Sequence, residues 1–188
     1  MARAKKGSGG AQPLAIELLM TDHRKVEQLF EQYEEEKEGG EETRKALAEK
    51  ICGELTVHAR VEEEIFYPWL RENLDEEKME LVEEAEVEHQ SAKDLIAQIE
   101  GASEVDETYD AKVKVLGEYI KHHVEEEENE IFQEVREMQE ELDELGQAMA
   151  ARKSELMEEM GLESEDPAMG AMQQPKGRGK QPPAPRGR

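Results

Sequence analysis

From about residue 13 to residue 160, apolar side chains recur every three or four positions and do not alternate. That spacing puts them on one face of a 3.6-residue helix and leaves no run that reads as a half-buried strand. The chain is therefore expected to be all-α. Five segments emerge. The first runs from about Pro13, suited to a first helical turn, to Glu38, with Ile16, Leu19, His23, Val26 and Phe30 on one face. Gly39-Gly40 ends it. The second spans about 41–73 with Leu47, Ile51, Leu55, His58, Glu62, Phe66 and Trp69 aligned, and Pro68 within it predicts a kink or an early end near Tyr67. The third spans about 75–100 through Leu81, Ala85, His89, Ala92, Ile96 and Ile99. After a loop at 101–106, the fourth covers about 107–138 through Val113, Leu116, Ile120, His123, Glu127, Ile131 and Val135. A shorter fifth covers about 139–160, expected to pack across one end or extend as an arm. Short connections between long amphipathic helices predict an up-down-up-down four-helix bundle.

Composition fits that reading only after the ends are separated. Of 188 residues, 48 are acidic and 24 are Lys or Arg, giving a net charge of −24, while Leu, Ile, Val and Phe number 35. Averaged over the chain, this borders on a disordered polyelectrolyte. Residues 1–12 and 167–188, however, hold none of those 35, and carry three and five basic residues with no acid. The expected organisation is a disordered basic tail over 1–12, the bundle over 13–138, a C-terminal helix over 139–160, and a disordered Pro, Gly and basic tail over 161–188. The acidic charge concentrates on the middle, at −32 for residues 13–166.

Such a body repels nucleic acid and anionic membrane, and tails with so few charges and no aromatic residue predict only weak, salt-sensitive contact with nucleic acid. Leu14–Met20 is too short, and carries Glu17, for a signal sequence or membrane span. Cys52 is the only cysteine, which excludes an internal disulfide, and a reducing cytoplasm is the expected location.

The chemistry lies in the five histidines. His23, His58, His89 and His123 each fall in phase with the apolar stripe of a different bundle helix, and His122 is one residue out of phase. Glu62 follows His58, and Glu127 follows His123, by four residues, so each pair shares a helix face. With 41 Glu in the chain, spacing alone carries little weight. The repetition carries more: His23 precedes His58 by 35 residues, His89 precedes His123 by 34, and Glu-Glu-x-Ile-Phe follows in similar form at 62–66 and 127–132. Two such hairpins face to face would bring four imidazoles and two carboxylates into one interior. Burial without a compensating cation would be costly, so a shared metal site is expected. Mixed imidazole and carboxylate donors suit iron, manganese or zinc, and carboxylates able to bridge favour two ions.

Asp22-His23, His58-x-x-x-Glu62 with Glu63-Glu64-Ile65-Phe66-Tyr67-Pro68, Glu88-His89, and His122-His123-x-x-x-Glu127, in that order over about residues 14–138, resemble the hemerythrin-like, or HHE cation-binding, domains. The resemblance implies a four-helix bundle around a non-haem di-iron centre that binds or reacts with oxygen. It implies His23, His58, His89 and His123 as terminal ligands of two iron ions, with Glu62 and Glu127 bridging. His123 is preferred to His122 because it keeps phase with Ile120 and Ile131. One departure stands out. Oxygen-carrying hemerythrins have His-x-x-x-His on the third helix, and here Lys93 follows His89. Coordination positions are thereby left open, or filled by an acid or a Tyr, which puts dedicated oxygen transport in question. The expected function is binding of dioxygen or a related small ligand for sensing, storage or detoxification. The alternatives are a di-iron enzyme turning over peroxide, nitric oxide or ferrous iron, and a metal-free acidic helical interaction protein.

Overall fold

The computed structural model describes residues 13–36 and 39–162. Residues 1–12 and 163–188, on which most of both expected basic tails fall, lie outside them. The helices are α1 (Leu14–Glu35), α2 (Glu41–Val61), α3 (Tyr67–Asn73), α4 (Met79–Glu100), α5 (Glu107–Glu126), α6 (Phe132–Val135) and α7 (Gln139–Met160). No strand occurs among the described residues. A π-helical turn, Glu62–Phe66, joins α2 to α3, and another, Glu127–Ile131, joins α5 to α6; a short 3₁₀ turn, Glu76–Lys78, leads into α4. The bundle is thus α1, α2 with α3, α4, and α5 with α6, alternating in direction, with α1 packed on α2 and α4 on α5.

The π turns change which side chains face inward. In each, the backbone N–H after the turn reaches five residues back, Tyr67 to the Glu62 carbonyl and Phe132 to the Glu127 carbonyl. The extra residue rotates everything beyond it by about 100° relative to an unbroken α-helix. Trp69, expected on the stripe, is only half-buried, whereas Tyr67 and Leu70 are fully buried. Phe132 joins Ile131 in the core for the same reason. Pro68 does not end the second helix. It sits in the first turn of α3, where the missing N–H is least costly. The π turn recurs at Glu127 with no proline near it, so a proline is not required for such a turn.

The fifth helix corrects the expectation. α7 neither crosses an end nor projects; it lies along the groove between α1 and α2 and buries Leu142, Gly146, Met149, Leu156 and Met157. It runs parallel to α1, since Asp143 accepts from the Leu14 N–H at 2.8 Å and Lys153 meets Asp22. Pro13 cannot cap α1 with its side chain, and Asp143 supplies that function from α7. Close approach depends on Gly146: a methyl there would lie 2.5 Å from the Ala15 nitrogen and 2.7 Å from the Leu14 carbonyl carbon. Gly161 closes α7 in the left-handed conformation at φ 66°, and Leu162, whose N–H bonds to the Met157 carbonyl, folds back against Gly53.

The core has two parts. One holds Val61, Phe66, Leu70, Ile131, Val135 and the inner face of α7. The other, towards the 101–106 loop, holds Leu29, Ile51, Cys52, Ile99, Val113 and Leu116. Between them runs a buried polar layer.

Candidate metal centre

That layer contains all six residues expected from the sequence. His23, His58, His89, His123, Glu62 and Glu127 are each no more than 6% exposed. Each helix contributes one imidazole, and the two glutamates begin the π turns. His122 points outward, with a side chain 61% exposed.

The Nε2 atoms converge. His58 Nε2 lies 3.2 Å, and His89 Nε2 3.3 Å, from Glu62 Oε2. His23 Nε2 lies 3.3 Å, and His123 Nε2 3.8 Å, from Glu127 Oε2. Each carboxylate therefore sits between one imidazole of the first hairpin and one of the second. Two groups result, His23, His58, Glu62 and Glu127, and Glu62, His89 and His123, whose nitrogen and oxygen donors lie within 4.8 Å of one another in each group. Glu62 is common to both.

The outward nitrogens face carboxylates to which the sequence reading gave no role. His23 Nδ1 is 2.9 Å from Glu128, His89 Nδ1 3.0 Å from Glu63, His123 Nδ1 2.9 Å from Glu88, and His58 Nδ1 3.6 Å from Asp22. A carboxylate can only accept, so Nδ1 of His23, His89 and His123 carries a proton, which leaves Nε2 as the atom that faces the interior for a metal. The four pairings obey an internal two-fold relation: Asp22 serves His58 as Glu88 serves His123, and Glu63 serves His89 as Glu128 serves His23. The signal was available. An acid precedes each of His23 and His89, and another follows each of Glu62 and Glu127.

Tyr67 breaks the symmetry. Phe132 stacks on His23 with ring centres 6.0 Å apart, and Tyr67 packs against His89 at 5.3 Å. The Tyr67 hydroxyl stands 3.2 Å from His89 Nε2 and donates to Glu127 Oε1 at 3.4 Å. Sequence reasoning missed it because an unbroken α register turns Trp69 inward instead. Lys93, the departure from the oxygen carriers, leaves the interior and pairs with Glu63.

This arrangement is poorly satisfied by the protein itself. His23 Nε2, both ring nitrogens of His58, both oxygens of Glu62 and Glu127 Oε2 are buried with no hydrogen-bond partner in the protein. Their close approaches lack hydrogen-bond alignment, and His89 and His123 bring two Nε2 atoms to 3.1 Å. Each such group costs about 1–3 kcal/mol, against a typical total stability of about 5–15 kcal/mol. Without a cation, protons compensate. Burial and the charge of Glu127 push the Glu62 carboxyl up to about 8. Burial opposes a charge on His23, but Glu127 and Glu128 outweigh it and hold its pKa at about 9. Burial likewise opposes ionised Glu127, yet His23 and His123 hold it well below the usual range. The donor set fits metal binding: imidazole nitrogens and carboxylate oxygens converge, and every one of these orphaned atoms except His58 Nδ1 is one that a metal there would engage.

Residues 14–135 match the model of the hemerythrin HHE cation binding domain. This chain belongs to that family. No curated protein matches. A solved structure, a hemerythrin HHE cation binding domain-containing protein from Mycobacterium kansasii, is similar over 80% of this chain and 90% of its own, at 25% identity and a TM-score of 0.65. The protein is thus a metal-binding helical bundle of the HHE class, and among its described residues no helix is long and apolar enough to cross a membrane.

Beside the centre lies a cavity of about 40 Å³, reached by His23, His58, His89 and His123 and walled by Val26, Leu55, Ala92, Ile96 and Ile120. It has room for roughly three water-sized molecules. Its walls favour a small, weakly polar ligand over an organic substrate.

Proposed function

We propose that this protein is a non-haem di-iron protein that binds dioxygen or a related diatomic or peroxide ligand, in sensing, storage or detoxification. The observation that carries the reading is the position of Glu62 and Glu127, each between an imidazole of one hairpin and an imidazole of the other. His23 and His58 would hold one iron, His89 and His123 the second, with both carboxylates shared. The Tyr67 hydroxyl is a further oxygen donor on the His89 side, where Lys93 has replaced the second histidine of the oxygen carriers. When bound, the iron pair supplies reversible exchange of electrons with small oxygen species.

The chain's own residues set the conditions for that chemistry. Glu128, Glu63 and Glu88 fix the tautomer and direction of His23, His89 and His123, and Asp22 faces His58. The apolar walls exclude bulk water and set the size of what enters. Tyr67 holds a proton at its hydroxyl, whose ionisation burial and the charge of Glu62 push far upward. A buried proton-bearing group between His89 and Glu127 favours a second reading, turnover of peroxide or nitric oxide.

Protein loaded anaerobically with ferrous iron should develop a near-ultraviolet or visible charge-transfer band on exposure to air. No bound iron and no spectral change would refute the proposal. Steady-state consumption of peroxide or nitric oxide, lost in Tyr67→Phe at unchanged iron content, would establish turnover; binding without consumption would leave the carrier or sensor reading.

A further inference from the structure

Besides Tyr67, the acids that precede His23 and His89 are treated differently in the two halves. In the first half, Asp22 turns Oδ2 to His58 and Oδ1 to the ammonium of Lys153, delivered by α7. In the second half, Glu88 turns Oε2 to His123, and its Oε1 lies 3.6 Å from His122 Nε2. Glu126 Oε1 lies 3.2 Å from that same nitrogen. Among the described residues, no fifth helix covers this side. Where the first half places a lysine, the second offers one exposed imidazole and two carboxylates, with a ligand atom from each within 4.8 Å of the others.

A cleft of about 30 Å³ adjoins these residues, lined by Glu84, Glu88, Glu126 and Glu130 and, more deeply, by His123 and Glu127. Glu84 and Glu130 are exposed, Glu88 and Glu126 half-buried, and His123 and Glu127 buried, so the carboxylates lead from solvent to the metal centre. Glu127 is fully buried and its Oε2 has no hydrogen-bond partner. An acidic path ending on a buried carboxylate with one unpartnered oxygen is built to attract and accept a cation.

We propose that Glu88, His122 and Glu126 form an outer site for a divalent transition-metal ion, from which the ion passes down the cleft to the buried ligands. One imidazole and two carboxylates suit such an ion and leave positions for water, so it is held loosely enough to move on. Lys153 closes the corresponding route in the first half. The transfer step rests on the di-metal reading above, whereas the outer site does not.

The test is a Co²⁺ titration of the metal-free full chain, comparing wild type with His122→Lys, His122→Ala and His58→Ala. Lysine at 122 places a positive charge beside Glu88, as Lys153 does beside Asp22, but offers no lone pair to a metal. Wild type should take up one weakly held ion more than His122→Lys or His122→Ala, and the buried visible bands should form about tenfold more slowly in both variants. Equal uptake and equal filling rates in wild type and His122→Lys would overturn the outer site. Bands that do not respond to His58→Ala would instead refute the buried centre, and loss of the weak ion in His122→Lys would then still decide the outer one.

Discussion

At the scale of single residues, the centre is a balance of protons and cations. At pH 7 the metal-free protein keeps a proton on Glu62, whose pKa is about 8, and on His23, at about 9. A metal ion must displace both. Loading should therefore release about two protons per chain at pH 7, and affinity should rise as pH rises towards 9. Calorimetry of Zn²⁺ binding in buffers of different ionisation enthalpy measures this, and binding without proton release would contradict it. Glu63 is held down at about 2, first by its bond from His89 and then by Lys93. Glu63→Gln should preserve the fold but weaken metal binding by about 10–100-fold, through loss of imidazole orientation. Equilibrium dialysis would show it.

At the scale of elements, α7 and the π turns decide how the site is framed. Gly146→Ala pushes a methyl into the start of α1 and should cost about 1–3 kcal/mol, read as a lower urea midpoint. Lys153→Met removes a partner from buried Asp22 and should cost about 3–5 kcal/mol; an unchanged midpoint would mean that α7 does not brace the centre. What the sequence made legible follows from periodicity. His23, His58, His89 and His123 could be placed because 3.6-residue spacing carries each along its own stripe without interruption. Tyr67, Leu70 and Phe132 could not, because a π turn changes the phase through backbone hydrogen bonding and leaves the residue pattern unmarked. The two Ile-Phe pairs illustrate this: Ile65-Phe66 rhymes with Ile131-Phe132, yet the turns pair Phe66 with Ile131 and Tyr67 with Phe132. The course of α7 was equally hidden. It depends on Gly146 meeting Leu14 and on Lys153 finding Asp22, contacts between residues more than 130 apart that no local pattern encodes.

At the scale of the whole molecule, a strongly acidic bundle keeps a divided apolar core and spends the layer between on ligands. Metal should tie the two halves together and raise the melting temperature markedly; coincident melts with and without iron would count against this. Cys52 reports on the half away from α7. Burial, with smaller effects from Glu100 and Glu49, raises its thiol from 9.0 to about 12. The folded state thus favours the neutral thiol, so this contribution is intact below pH 9 and is lost as pH rises from 9 to 12. Native protein at pH 8 should resist thiol-reactive reagents until it unfolds; rapid labelling of the native protein would show an open core. The central claim is that two ions share Glu62 and Glu127. Iron content and magnetic behaviour of the air-oxidised, reconstituted protein test it most directly. The account predicts about two irons per chain, close enough to be magnetically coupled; a single iron, or an uncoupled ferric signal, would contradict it.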